Sequence, residues 1–150
     1  MVVPEKQELS RGTRHFVYPL LLCVCGVALN LALARLALLL RLPLFLDSVG
    51  TVLAAVLGGY LPGIVVGYVT NLINGVSDPV TAYYASINVL LALAATWFFR
   101  NGAFRRLFTA KNLLAIVVFA LIGGGLGSLL TFLLYKRISP LLHKVATDFL

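Results

Sequence analysis

The stretch from Leu42 to Pro79 constrains this chain more than any other. It reads LPLFLDSVGTVLAAVLGGYLPGIVVGYVTNLINGVSDP, with no charged residue from Ser48 to Ser77 and an acid just outside each end, Asp47 and Asp78. As a single helix the uncharged run would be about 45 Å long, against a bilayer hydrocarbon core of about 30 Å. At its centre, Gly58-Gly-Tyr-Leu-Pro-Gly63 is a turn signal. The stretch therefore predicts a helical hairpin of two short spans that returns both acids to the same side of a membrane.

The remainder of the chain fits that setting. Of its 150 residues 61% are hydrophobic and 11% charged, whereas a soluble domain carries about a quarter charged residues. So few polar groups do not cover this much apolar surface in water. The composition predicts an all-α, polytopic integral membrane bundle. The net charge is +7, but the basic residues form short clusters between apolar runs, as at cytoplasmic membrane edges. That arrangement makes no case for nucleic acid as a partner.

Five transmembrane helices are expected, spanning about 16–40, 46–59, 62–76, 81–99 and 112–135. They are preceded by a polar cytoplasmic tail (1–15) and followed by a short tail (136–150) that is too polar to span. The second and third spans are roughly 14 to 15 residues, or some 21–23 Å as helix. Spans this short must thin the bilayer or bury their ends in protein around a cavity. Cleavage after Ala32-Leu-Ala34 is disfavoured, because the first apolar run is longer than a signal core and continues to Leu40. Cys23 and Cys25 point to nearly opposite helix faces, so they do not pair.

Small and polar residues mark the faces that pack. In the first span Ala28 and Ala32 lie four apart, a small-x-x-x-small face for close approach of another helix. Asn30 lies about 200° round from them and is expected to face other helices of the same protein. Gly59, Gly63 and Gly67, continuing through Asn71 to Gly75, form a second such face, and Gly123 with Gly127 a third. Asn71 and Asn74 near one helix end, with Asp78, compete as a binding site against a capping role. Ser77 or Asp78 is a natural N-cap for the fourth span, and Pro79 suits its first turn.

Charge tests the hairpin. With the N-terminus cytoplasmic, four spans precede Arg100, and the basic loop Arg100–Lys111 returns to the cytoplasm. With one long helix in place of the hairpin it would lie outside. Asp47 and Asp78 are then both extracytoplasmic. Lys136 and Arg137 go against the rule, and the abrupt end suggests truncation or the start of a longer protein. No catalytic set, nucleotide loop or metal-ligand spacing is present, so neither an enzyme nor a cofactor or metal is expected.

In its order of features the chain resembles the substrate-binding (S) component of energy-coupling-factor (ECF) vitamin transporters of bacteria and archaea. The residues that carry this are Ala28-x-x-x-Ala32, Leu42-Pro-Leu-Phe-Leu-Asp47, Leu57-Gly-Gly-Tyr-Leu-Pro-Gly63 and the run from Gly67 to Gly75. The resemblance covers roughly Tyr18 to Trp97, and the rest only by hydropathy. It implies a six-helix plasma-membrane protein, its last helix missing here, with both termini cytoplasmic. It also implies a small vitamin-like ligand held by Asp47, Asn71, Asn74, Asp78 and Asn88. Ala28 and Ala32 would dock on a transmembrane coupling subunit driven by two ATPases. Two other readings remain open: a ligand-sensing input module of a signalling protein, and a structural membrane protein without ligand.

Overall fold

The computed structural model describes residues 5–41, 46–102 and 109–136, with 5–16 as backbone alone. Helix α1 runs Glu5–Leu39, α2 Val49–Gly58, α3 Tyr60–Ser77, α4 Pro79–Tyr83, α5 Ala85–Arg100 and α6 Ala110–Ala120. From α6 the chain continues through a π-helical segment, Leu121–Leu126, into a further helical stretch, 127–136. Among the described residues there is no strand. The loop containing Pro43, the basic pair Arg105 and Arg106, and the expected tail after Lys136 lie outside the described residues.

Among the described residues three helices are long and apolar enough to cross a membrane: Val17–Leu39, Pro79–Arg100 and Ala110–Lys136. The distribution of polarity agrees. Large apolar side chains such as Leu20, Leu38, Leu61, Leu113 and Phe132 point outward, while the largest fully buried side chains are Val66, Asn30, Asn71, Thr51, Thr70 and Thr96. Five of those six are polar. In water that inversion would be ruinous, but lipid solvates the apolar exterior, and the interior polar groups bond to one another. The chain is an all-α membrane bundle.

The stretch that opened the sequence reading folds as two antiparallel helices. The turn between them is a single residue, Gly59, with φ 85°, a conformation that carries no steric penalty only for glycine. The expected Gly58–Gly63 turn is thus corrected: the helix resumes at Tyr60. Pro62 falls in its first turn, where a backbone N–H has no intrahelical acceptor anyway. Helix α2 is also shorter than expected, beginning at Val49 and leaving Asp47 and Ser48 in the preceding turn. Its 10 residues measure only about 15 Å. The N-terminal segment expected as a tail is helical from Glu5, continuous with the first span.

Helices α1, α2 and α3 pack mutually, α5 packs on α2 and α3, and α6 packs on α5. Gly63 is the tight point between α2 and α3, where a Cβ would lie 2.6 Å from the Ala55 Cβ. Gly67 meets Thr51 and Asn88, and Gly75 meets Ala82, so these three glycines do give close packing. Gly59 does not; it makes the turn. Gly123 and Gly127 do not either: a Cβ on Gly123 would meet nothing within 4 Å, and one on Gly127 would make only ordinary contact with Ile87. Asn30 is fully buried and faces the bundle, while Ala28 and Ala32 are exposed on the opposite side of α1.

The two ends of the bundle differ. At one, the Arg100 guanidinium lies 5.4 Å from the centre of the Tyr60 ring, and Lys111 donates to the Asn101 carbonyl. The hairpin turn and the basic connection after α5 therefore share this end. Asp47 and Asp78 belong to the other.

Candidate functional site

A cavity of about 470 Å³ opens at the Asp47–Asp78 end, within the range of small-molecule sites. Four segments build it. The turn before α2 supplies Asp47 and Ser48, and α3 supplies Asn71. Asp78 to Leu91 forms a second wall through Asp78, Val80, Thr81, Tyr84, Ile87, Asn88 and Leu91. The π-helical part of α6 and the turn after it supply Gly123, Gly124, Gly127, Ser128 and Thr131.

Four of the five polar residues singled out in the sequence, Asp47, Asn71, Asp78 and Asn88, thus line one space. Asn74 does not. One turn-step round from Asn71, it lies off the lining, and its carbonyl accepts the Asp78 N–H that closes the end of α3.

Each polar group has a physical placement. Asp78 is the N-cap of α4: its Oδ1 accepts the Val80 N–H at 3.0 Å, and Pro79 occupies the first helical turn. Asp47 precedes α2, outside the helical spans. Burial there pushes its carboxyl above the ordinary carboxylate range, opposed by a backbone hydrogen bond at Asp47 and by the Asn88 side chain. Asn71 is buried on α3; its Nδ2 donates to the Gly67 carbonyl at 2.9 Å. That bond fixes the amide orientation, because a carbonyl only accepts. The Asn71 Oδ1 is then the one buried side-chain oxygen or nitrogen among the described residues without a partner, and Asn71 lines the cavity.

Sequence reading missed the α6 wall. The glycine run was assigned to helix packing on its spacing of four, but spacing does not say whether a neighbouring helix is present. Here the neighbour is a cavity. Three successive glycines let the backbone widen into a π-helix, a form concentrated at functional sites. Ser128 donates to the Gly124 carbonyl at 2.6 Å and Thr131 to that of Gly127 at 2.9 Å. The sequence signal for this wall is Ser128 and Thr131 within one helical turn of Gly127. Tyr84 joins Thr131 through their hydroxyls, linking α6 to the wall from α4 and α5.

No known family model, curated protein or solved structure matches the chain. The chemistry of the cavity is therefore read from its own residues. Two carboxylates, two amides and several hydroxyls on an apolar frame are chemistry suited to a small polar molecule. Among the described residues no three His, Cys, Asp or Glu side chains group together as a metal set would.

The empty space at Gly123 yields a prediction. Gly123→Ala is expected to fold at least as well as the wild type, since alanine is about 0.8–1 kcal/mol better in a helix and the new methyl meets no atom. Thermal unfolding in detergent checks it. A large fall in Tm would mean that the segment is packed after all.

Proposed function

We propose that the chain is the membrane-embedded substrate-binding subunit of an ECF-type micronutrient importer. It captures a small polar, vitamin-like ligand from outside and docks on an ATPase-driven coupling module. The observation that carries this reading is the cavity at the Asp47–Asp78 end, which four polar residues from three segments line. The shortness of α2 supports it, because the turn before a 10-residue helix lies below the level reached by longer neighbours and leaves room for a ligand.

In this reading the N-terminus and the hairpin turn are cytoplasmic, and the cavity opens outward. The exposed Ala28 and Ala32 face on α1 is the surface for the coupling subunit. Small residues there admit a partner helix at close range, where packing in lipid gains most. The chain supplies recognition, and the ATPases supply energy.

Co-expression with an ECF coupling module tests the assignment. The chain is expected to co-purify with the module, and the double substitution Ala28→Trp, Ala32→Trp is expected to abolish co-purification without changing the elution of the isolated chain. An intact complex with the double variant overturns the docking face. Failure of the wild type to associate overturns the importer reading and favours a sensing module.

A further inference from the structure

We propose that the cavity selects an organic cation, a protonated amine carried on an apolar body. The inference rests on the small-molecule reading above and names the class of that ligand.

The argument is a count of donors and acceptors. Five hydroxyl groups line the cavity, and the protons of four of them, Thr81, Tyr84, Ser128 and Thr131, are committed within the protein. Thr81 donates to the Asp78 carbonyl at 2.6 Å, and Ser128 and Thr131 donate to backbone carbonyls of their own helix. With the Thr131 proton used in that way, the Tyr84 hydroxyl is the donor in their mutual bond. The Asn88 side chain is engaged with Asp47. What those four hydroxyls still offer to a ligand is lone pairs.

Acceptors dominate the rest of the lining. Asp47 and Asp78 bring carboxylates, and one Asp78 oxygen is used as a helix cap. The buried Asn71 Oδ1 has no partner in the protein. Among the described residues no Lys, Arg or His lines the cavity, although the whole chain carries a net charge of +7. An anionic ligand would meet two carboxylates without a countercharge, whereas a cation with N–H groups meets both and fills the vacant Asn71 acceptor. It would also relieve the burial that disfavours a bare Asp47 carboxylate. Two carboxylates without a third acidic, His or Cys ligand suit an ammonium better than a divalent metal ion. Val80, Ile87 and Leu91 give the lining its apolar part, for the body of the molecule.

Three near-isosteric probes separate the classes: 2-phenylethylamine, 2-phenylethanol and 3-phenylpropionate, titrated calorimetrically into the full chain in detergent at pH 7. The amine is expected to bind at least about 10-fold more tightly than the alcohol, the scale of a hydrogen bond to a charged group, and the carboxylate not at all. Asp78→Asn keeps the helix cap, since asparagine caps as well as aspartate. It is expected to weaken the amine roughly 10-fold and leave the alcohol unchanged; Asp47→Asn is expected to do the same. Equal or tighter binding of the alcohol or carboxylate overturns the cation assignment, as does amine binding that neither variant alters. If the alcohol or carboxylate binds and Asn71→Ala weakens it, the site stands and only its ligand class falls. Binding of none of the three overturns both.

Discussion

Gly50→Ala is expected to be among the most destabilising single substitutions in the chain. At this position α1 and α2 cross with their backbones in contact, and an added Cβ would lie 2.1 Å from the Gly26 carbonyl oxygen and 2.8 Å from the Asn30 Oδ1. The first is backbone and the second belongs to an amide held by three hydrogen bonds, so the helices themselves must separate. Overpacking typically costs about 1–3 kcal/mol, occasionally more. Here the separation also stretches the 2.6 Å bond from the Gly50 N–H to Asn30. A loss of at least about 3 kcal/mol is expected. It would appear as a large drop in Tm, or as loss of the monodisperse species on size exclusion. Gly123→Ala provides the matched comparison, the same methyl placed in open space. Similar behaviour of the two variants would show that the crossing is not as tight as described.

Asn30→Leu is expected to have a comparable effect for a different reason. The Asn30 amide joins three helices: Nδ2 donates to Thr51 Oγ1 at 3.0 Å and to Thr70 Oγ1 at 3.1 Å, and Oδ1 accepts the Gly50 N–H. That last bond is a helix cap supplied from another helix. The N-cap residue of α2, Ser48, makes no side-chain cap bond, and the first N–H groups of any helix lack intrahelical acceptors. With leucine at position 30, the two threonines can turn to carbonyls of their own helices, but the buried Gly50 N–H loses its acceptor. A buried unsatisfied backbone group costs about 1–3 kcal/mol, and interhelical bonds in membranes add about 0.6–2 each. The expected total is about 2–4 kcal/mol. Thr51→Ala and Thr70→Ala should each cost only about 1 kcal/mol. Denaturant unfolding of the three variants checks the ranking. A threonine variant as damaging as Asn30→Leu would refute the capping role. Gly50 and Asn30 share a contact, so their combined substitution should cost less than the sum.

Much of the fold was legible because membranes narrow the alternatives. A long uncharged run with a glycine turn at its middle has few solutions in a 30 Å slab, and a hairpin is the one that satisfies the backbone. The face of Asn30 followed from helical angle alone, and so did the opposite, exposed face of Ala28 and Ala32. The turn was less legible. Gly58-Gly-Tyr-Leu-Pro-Gly63 carries several breaking residues, yet only Gly59 leaves helical geometry, because proline is tolerated in a first turn.

The site was legible in its ingredients more than in its arrangement. Polar side chains in an apolar chain stand out, which is how Asp47, Asn71, Asp78 and Asn88 were found. Asn74 was named by the same logic and lies off the lining, since residues three apart still differ by about 60° round a helix. The contribution of α6 was misassigned for a related reason. Gly123 and Gly127 have the spacing of a packing face, and whether such a face meets a helix or a cavity depends on elements distant in sequence.

The sequence by itself determined that this chain is a helical membrane protein, where its central stretch doubles back and that Asn30 faces the other helices. Hydropathy, charge and chain length are local properties and suffice for that. Only the tertiary structure decided that Asn30 caps a helix other than its own, that a glycine run opens into a π-helical wall and that Asn71, lining the same cavity as two carboxylates, keeps a buried Oδ1 without a partner. Those facts depend on which helix ends lie side by side, and that is set by the close contacts at Gly50 and Gly63 rather than by any pattern along the chain.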